Sequence, residues 1–375
     1  MGRQTTNATP LAPPDGAPLP EAAGDGLGLA GGQTGEDQDV GADGGVIPTG
    51  VAHFPLTRPA ETRDYVFLLL PRFTLLAFSS AVEPLRVANQ LSQRLLYRWR
   101  LVSQDGQAVQ SSSGISVNVH GALGRIGRKA TVIVCSGVEA QDAAGREALD
   151  WLRDHAVHGG AYGGICTGAF TLARAGLLKG RRYTVHWENQ PGFRELFQDY
   201  DPSPRIFEID GPLMTCGGGA ASTDMMLDLV ARHHGDEFAM RVGDMCLHGT
   251  PRRSEAPQTS SLAVTIGTRN PKLIRVIRLM QRNLETPLSI EQLAEAAGYS
   301  VRQLERQFKS VLSVSPATYY RNLRVELARS LLFETEMSIS EIAAATGFES
   351  ANHFGKVFRG RFGASPRNAR QFIGR

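Results

Sequence analysis

Ser289-Ile-Glu-Gln-Leu-Ala-Glu-Ala-Ala-Gly-Tyr299 returns 49 residues later as Ser338-Ile-Ser-Glu-Ile-Ala-Ala-Ala-Thr-Gly-Phe348. Past one inserted residue the match resumes at an offset of 50, pairing Phe308 with Phe358 and Ser315-Pro316 with Ser365-Pro366. Two copies of one structural unit are the simplest source of such self-similarity. Each copy reads as helix, tight turn, helix. Ser289 with Gln292, and Ser338 with Glu341, have capping-box spacing, in which each partner satisfies a backbone N–H that the first helical turn leaves open. Ile290, Leu293, Ala294 and Ala297 form one apolar stripe at i, i+3, i+4, i+7. Gly298 and Gly347 then stop the first helices where a left-handed residue is needed. In the second helices the spacing turns Val301, Leu304, Phe308 and Val311 inward in copy one, and Ala351, Phe354 and Phe358 in copy two. The opposite faces carry Arg302, Glu305, Arg306 and Lys309, and Asn352, His353, Lys356 and Arg359. Between the copies Pro316 opens a longer helix with Tyr320, Leu323, Leu327 and Leu331 inward.

Charge is unevenly spread. From Arg269 onward there are 17 Lys and Arg against nine Glu and no Asp, an excess of eight positive charges on a chain whose total is +3, so the preceding residues carry −5. A basic block on a near-neutral body suits a polyanionic partner. A helix-turn-helix lays its second helix in the DNA major groove, where Arg, Asn and Lys read base edges. In this reading Lys309, Arg321, Arg324, Arg359 and Arg361 contact phosphates, which set affinity more than sequence preference. The competing reading is a helical protein-interaction module with a charged surface; tandem units on a basic block weigh against it.

The segment ISEIAAATGFESANHFGKVFRGRFGASP, Ile339 to Pro366, resembles the signature of the AraC/XylS DNA-binding domain. In that family two recognition helices enter successive major grooves on one side of the duplex. By position the resemblance implies base reading by Arg302, Glu305 and Arg306 in the first unit and by Asn352, His353 and Lys356 in the second. It also implies RNA polymerase as a partner and activation as the mode of regulation.

Upstream the texture differs. Residues 1–50 hold 12 Gly, six Pro, seven acids and no aromatic residue, too little apolar surface to offset the entropy of ordering, so a disordered tail is expected over residues 1–61. Tyr65-Val-Phe-Leu-Leu-Leu70, Thr131-Val-Ile-Val134 and Ala161-Tyr-Gly-Gly-Ile165 are apolar runs fit for strands buried on both faces. Helical stretches lie between and after them, at Ala81–Leu91, Gln141–His155, Gly168–Ala175 and Ala220–His233. This alternation predicts a flavodoxin-like parallel α/β sheet over residues 62–248. A polar, Pro-containing linker follows over residues 249–268, then an all-α domain over residues 269–375.

Gly163-Gly-Ile-Cys-Thr-Gly-Ala-Phe170 joins a strand to a helix with Cys166 at the bend, the G-x-C-x-G pattern of a nucleophile elbow. A helix N-terminus beneath Cys166 is expected to favour thiolate. Thr184-Val-His-Trp187 follows one element later. Gly217-Gly-Gly219 precedes a helix and reads as a plain turn more than as an anion nest. The four cysteines, Cys135, Cys166, Cys216 and Cys246, are widely spaced and form no C-x-x-C pair, so neither a zinc site nor any other metal is implied. With no secretory segment and no apolar run of about 18 residues, a cytoplasmic protein with reduced thiols and no membrane contact is expected.

Residues 62–248 resemble the class I glutamine-amidotransferase-like, PfpI-like fold, through Phe67-Leu-Leu-Leu-Pro71, Gly164-Ile-Cys-Thr-Gly168, Ala175-Gly-Leu-Leu-Lys-Gly180 and His186-Trp187. Glu83-Pro-Leu-Arg-Val-Ala-Asn89 and Tyr97-Arg-Trp-Arg-Leu-Val-Ser103 are similar to regulators of betaine, carnitine or arginine catabolism. The resemblance implies a homodimer that responds to a small nitrogenous metabolite, held near Glu83, Cys166, Thr167, His186 and Trp187, with no cofactor. PfpI-like peptidases place His after the elbow Cys, where Thr167 stands here. Isonitrile hydratases of this fold carry Cys-Thr-Gly, but also an acid in the first strand–helix loop, whose place is matched here to Ala77. Cys166 thus reads as a scaffold or pocket residue, a redox sensor or a catalyst. A Cys-dependent hydrolase or hydratase with a DNA-binding appendage is the alternative to a ligand-responsive regulator, and Ala77 favours the regulator.

Overall fold

The structure, a computed structural model, describes residues 47–48, 50–56, 61–259 and 262–371. The first part of the chain alternates strand and helix. In order it forms β1 (Arg63–Leu69), α1 (Leu75–Ser92), β2 (Tyr97–Val102), a two-stranded ribbon of β3 (Val109–Gln110) and β4 (Ser116–Val117), and β5 (Thr131–Cys135). Then come α2 (Arg146–Val157), β6 (Ala161–Ile165), α3 (Gly168–Arg174), a 3₁₀ turn (Trp187–Asn189), α4 (Gln190–Leu196), β7 (Phe207–Asp210), β8 (Leu213–Cys216), α5 (Ala221–His234) and α6 (Asp236–Met245).

Six strands form one sheet in the order β2-β1-β5-β6-β8-β7, parallel except for β7 against β8. The apolar run of β1 explains its place between two neighbours. Successive side chains of a strand point to opposite faces, and here Tyr65, Phe67 and Leu69 enter one core while Val66, Leu68 and Leu70 enter the other. Helices α1, α5 and α6 cover the first face, and α2, α3 and α4 the second. Layers on both faces hide the central strands, which is why β1 and β5 read as continuous apolar runs, while the edge strands β2 and β7 are only partly buried.

Three expectations need correction. The end of the tail is not loose: Phe54 sits 5.5 Å from the Phe238 ring, and Ala52, Phe54 and Leu56 join the first core. The remainder of that tail, residues 1–46, 49 and 57–60, lies outside the described residues. The helix expected from Gln141 begins at Arg146, because Arg174 Nη1 holds the carbonyls of Gln141 and Ala144 and pins that segment as a loop. The stretch after His248 does not hang free either. The buried carboxylate of Asp224 on α5 accepts hydrogen bonds from His248 Nε2, the Arg252 backbone N–H and the Arg252 guanidinium, at 2.7–2.9 Å.

The rest of the described chain is helical: α7 (Leu262–Thr265), α8 (Pro271–Arg282), α9 (Ile290–Ala297), α10 (Val301–Leu312), α11 (Pro316–Glu334), α12 (Ile339–Ala345), α13 (Ala351–Phe362) and α14 (Pro366–Gln371). Helices α9–α10 and α12–α13 are the two repeated units, each with its own core, and α11 contributes to both. Both expected capping boxes have both of their bonds, and Ser300 with Gln303 forms a third at the start of α10. The four residues expected inward on α11 are packed: Tyr320 and Leu323 meet the first core, Leu327 and Leu331 the second. Val325, Ala328 and Leu332 join the second core as well, so the buried face turns along the helix.

Asp224 ties the end of the α/β body to its core. Asp224→Ala leaves a half-exposed arginine that water can solvate, so the cost should fall near the low end for a broken charged network, about 2–3 kcal/mol. Urea denaturation followed by far-UV circular dichroism reads this as a lower midpoint.

Candidate nucleic-acid interface and candidate effector pocket

The turn of each helix-turn-helix depends on a glycine with positive φ, Gly298 at +66° and Gly347 at +69°. The two differ in their surroundings. A Cβ on Gly298 would meet only Lys272 Nζ at 3.5 Å. A Cβ on Gly347 would lie 2.7 Å from Glu285 O and 2.8 Å from Leu284 O and Pro287 Cδ, in the loop between α8 and α9. The turn of the second unit therefore packs against the first unit's leading loop.

Arg302, Glu305 and Arg306 on α10, and Asn352, His353 and Lys356 on α13, are all exposed, opposite the buried Leu304, Phe308, Phe354 and Phe358. Lys309, Arg321 and Arg359 are exposed as well. Arg361 pairs with Glu326 at 2.9 Å on the surface. Arg324 departs from its expected phosphate contact. Its guanidinium lies 4.3 Å from the Phe348 ring centroid and donates to the carbonyls of Thr346, at 2.8 Å, and Gly347. These carbonyls end α12, where helical partners run out, so Arg324 caps and braces the turn from α11.

In the α/β body Cys166 occupies the bend after β6 with φ +59°, a left-handed conformation that costs a non-glycine residue about 1–3 kcal/mol. The bend is held by Cys166 N–H to Cys216 O and by His186 N–H to Cys166 O, both 3.1 Å. Gly218, at φ +85°, approaches so closely that a Cβ there would be 2.8 Å from Cys166 Cβ. The Gly217–Gly219 turn thus forms one wall of the elbow. The elbow lies at the carboxyl ends of the strands, beside the point where β2 and β5 leave β1 on opposite sides, the usual ligand crevice of an open α/β sheet.

Cys166 is only 8% exposed, and burial pushes its thiol above the ordinary value despite hydrogen bonds from Thr74 and Thr167. The expected bias toward thiolate is not met, because desolvation outweighs the helix N-terminus. The residue that faces the thiol from the first loop is Thr74, with Oγ1 3.4 Å from Sγ, while Ala77 is buried in the core. That loop thus brings a hydroxyl to the thiol, not an acid. Thr167 is also redirected: its hydroxyl is buried and donates to Gly137 O at 2.7 Å, tying β6 to the loop after β5. Glu83 bonds Arg86 at 2.7 Å and exerts its charge on Cys246, away from the elbow.

His186 meets the elbow through its N–H on Cys166 O, and Trp187 lies next to it. Burial lowers the pKa of His186, which keeps its ring neutral near pH 7. Trp187 is 51% exposed, its ring 5.6 Å from that of His186. Two residues missed in the sequence matter here. The charge of Glu188 acts on both Cys166 and His186, and its place beside Trp187 was the available signal. Gln258, inside the expected linker, accepts from Trp187 N–H at 2.8 Å and donates to Thr184 Oγ1, Val185 O and Arg205 O. No pattern in a Pro-rich stretch marks such a side chain. The described residues include a cavity of about 410 Å³, but Trp151, His155, Arg125 and Arg128 line it at the opposite, amino end of the strands. Among the described residues no cluster of His, Cys, Asp and Glu is arranged to hold a metal ion, and no helix is long and apolar enough to cross a membrane.

An elbow-bearing α/β domain joined to tandem helix-turn-helix units defines a DNA-binding transcription regulator. Residues 68–232 match the DJ-1/PfpI family and residues 293–371 the helix-turn-helix domain family. The chain is 42% identical over 312 residues to the HTH-type transcriptional regulator CdhR of Pseudomonas aeruginosa, covering 83% of this chain and 93% of that protein. It is 43% identical over 305 residues to GbdR of the same species, covering 81% and 83%. To GlxA of Rhizobium meliloti it is 40% identical over 309 residues, covering 82% and 95%. The chain belongs to the family of HTH-type transcriptional regulators that join a DJ-1/PfpI domain to an AraC-type helix-turn-helix domain. These relatives are named as regulators, not enzymes.

The unequal glycines make a test. Gly298→Ala should cost about 1–2 kcal/mol, the strain of a left-handed alanine. Gly347→Ala adds overpacking of about 1–3 kcal/mol, so its helical domain should unfold at clearly lower urea. Equal midpoints would mean that the loop after α8 yields freely.

Proposed function

We propose that the chain regulates transcription in response to a small nitrogen-containing metabolite bound at the elbow, activating transcription as a homodimer that engages RNA polymerase. The observation that carries the effector class is the grouping of Trp187, Glu188 and the neutral His186 beside a shielded, protonated Cys166. A half-exposed indole offers a cation–π face, and the adjacent carboxylate complements an ammonium. Gln258 and Gly218 shape this wall. The family resemblance supports betaine, carnitine or arginine as the kind of molecule, and it alone supports the homodimer, the polymerase contact and activation.

On DNA, Arg302, Glu305 and Arg306 read one box while Asn352, His353 and Lys356 read a second, one helical turn away. Their unlike chemistry calls for two dissimilar boxes in direct order, with guanine favoured opposite Arg306 and adenine opposite Asn352. Lys309, Arg321 and Arg359 hold phosphates, and Arg361 joins them when its surface pair with Glu326 opens. Arg324 holds the turn.

Binding titrations against single-base variants of the target duplex at two salt concentrations separate these roles. Arg306→Ala should cost about 1–3 kcal/mol and relax preference at one position. Arg321→Ala should weaken all sequences alike and flatten the salt dependence. Uniform loss for Arg306→Ala would remove α10 from base reading.

For the effector, a thermal-shift screen against amines and amino acids finds ligands that bind the native state. Trp187→Ala should then weaken binding by about 0.5–2 kcal/mol in calorimetry, with operator affinity unchanged without ligand. Unchanged effector affinity would place the pocket elsewhere.

A further inference from the structure

The 3₁₀ turn that carries Trp187 faces the pocket on one side and the DNA-binding domain on the other. Ser330 Oγ on α11 donates to Glu188 O at 3.1 Å, and Asn189 Nδ2 donates to Glu334 Oε1 at 3.1 Å. Gln141 Nε2 reaches the carbonyl of Glu334, one of those the end of α11 leaves open. On the elbow side the Asn189 N–H bonds His186 O at 2.9 Å. His186 in turn holds Cys166 O. One unbroken set of contacts therefore runs from the elbow through His186 and Asn189 to the end of α11, whose last turns build the core of the second helix-turn-helix.

Two features mark this contact as a joint poised to open. It seats on Gly192 of α4, where a Cβ would lie 2.7 Å from Glu334 Cβ. It also buries the Glu334 carboxyl with Oε2 unpartnered, and burial, with Glu188 adding, raises its pKa to about 7. A buried polar oxygen without a partner is costly, so the contact closes with little free energy in reserve.

We propose that the Asn189–Glu334 contact, seated on Gly192, is the joint through which occupancy of the elbow pocket and engagement of DNA by the second helix-turn-helix unit are coupled. The inference rests on the effector pocket proposed above and adds its route of regulation. A ligand that moves Trp187 or His186 shifts Asn189 and so opens or closes the joint. Because coupling between two sites is reciprocal, DNA must shift the same equilibrium, typically by about 5–150-fold.

Hydrogen exchange on the full chain tests this without any effector, using a duplex that the chain itself selects from a random-sequence library. In the wild type, the duplex should change exchange at residues 188–192 and 330–334 by about 5–150-fold. Gly192→Ala, whose helical backbone accepts alanine, should expose both segments in the free protein and abolish their response to DNA. Asn189→Ala, which strips the buried Glu334 carboxyl of its partner across the joint, should do the same. Circular dichroism matching the wild type confirms that both variants fold. Wild-type exchange unmoved by the duplex, or variants as protected as the wild type, would overturn the joint. Neither result bears on the pocket, which the Trp187→Ala calorimetry judges separately.

Discussion

The nineteen-residue helix α11 sets the geometry on which the DNA-binding half depends. At 1.5 Å per residue it is about 28 Å long, and its buried face turns between the two ends to serve two separate cores. Arg324 at its middle closes the turn of the second unit, and Gly347 in that turn admits the first unit's loop. The two recognition faces are held by backbone caps and close packing on one rod, so their separation does not rest on a flexible tether.

The α/β half is likewise braced around a single bend. The elbow keeps the strained backbone of a nucleophile site, yet burial holds the thiol protonated and a threonine hydroxyl stands where chemistry would call for an acid. What remains is a well-braced bend at the carboxyl edge of the sheet, with Gly218 packed against it, Thr167 tying it to the loop after β5, and the half-exposed Trp187 next to His186.

Period and spacing made much of this legible in advance. Repeats at a fixed offset revealed two units, the 3.6-residue stripes assigned their inner faces, and G-x-C-x-G located the elbow. These signals are local: a cap, a stripe and a bend need only a few neighbouring residues. Arg324, Thr167 and Glu83 escaped the same reading, because a side chain's type does not say which distant carbonyl or carboxylate it will meet.

The sequence by itself determined the parallel α/β sheet, the tandem helix-turn-helix and the bend at Cys166, since each follows from backbone preference and apolar periodicity along a short stretch. Only the tertiary structure decided that Thr74 and not Ala77 faces the thiol, that Gln258 crosses from a polar segment to brace Trp187, and that Glu334 meets Asn189. Those contacts join residues from tens to well over a hundred positions apart, and no period or composition along the chain encodes them. They arise when the sheet and the helices pack, and packing brings together side chains that local spacing leaves unrelated.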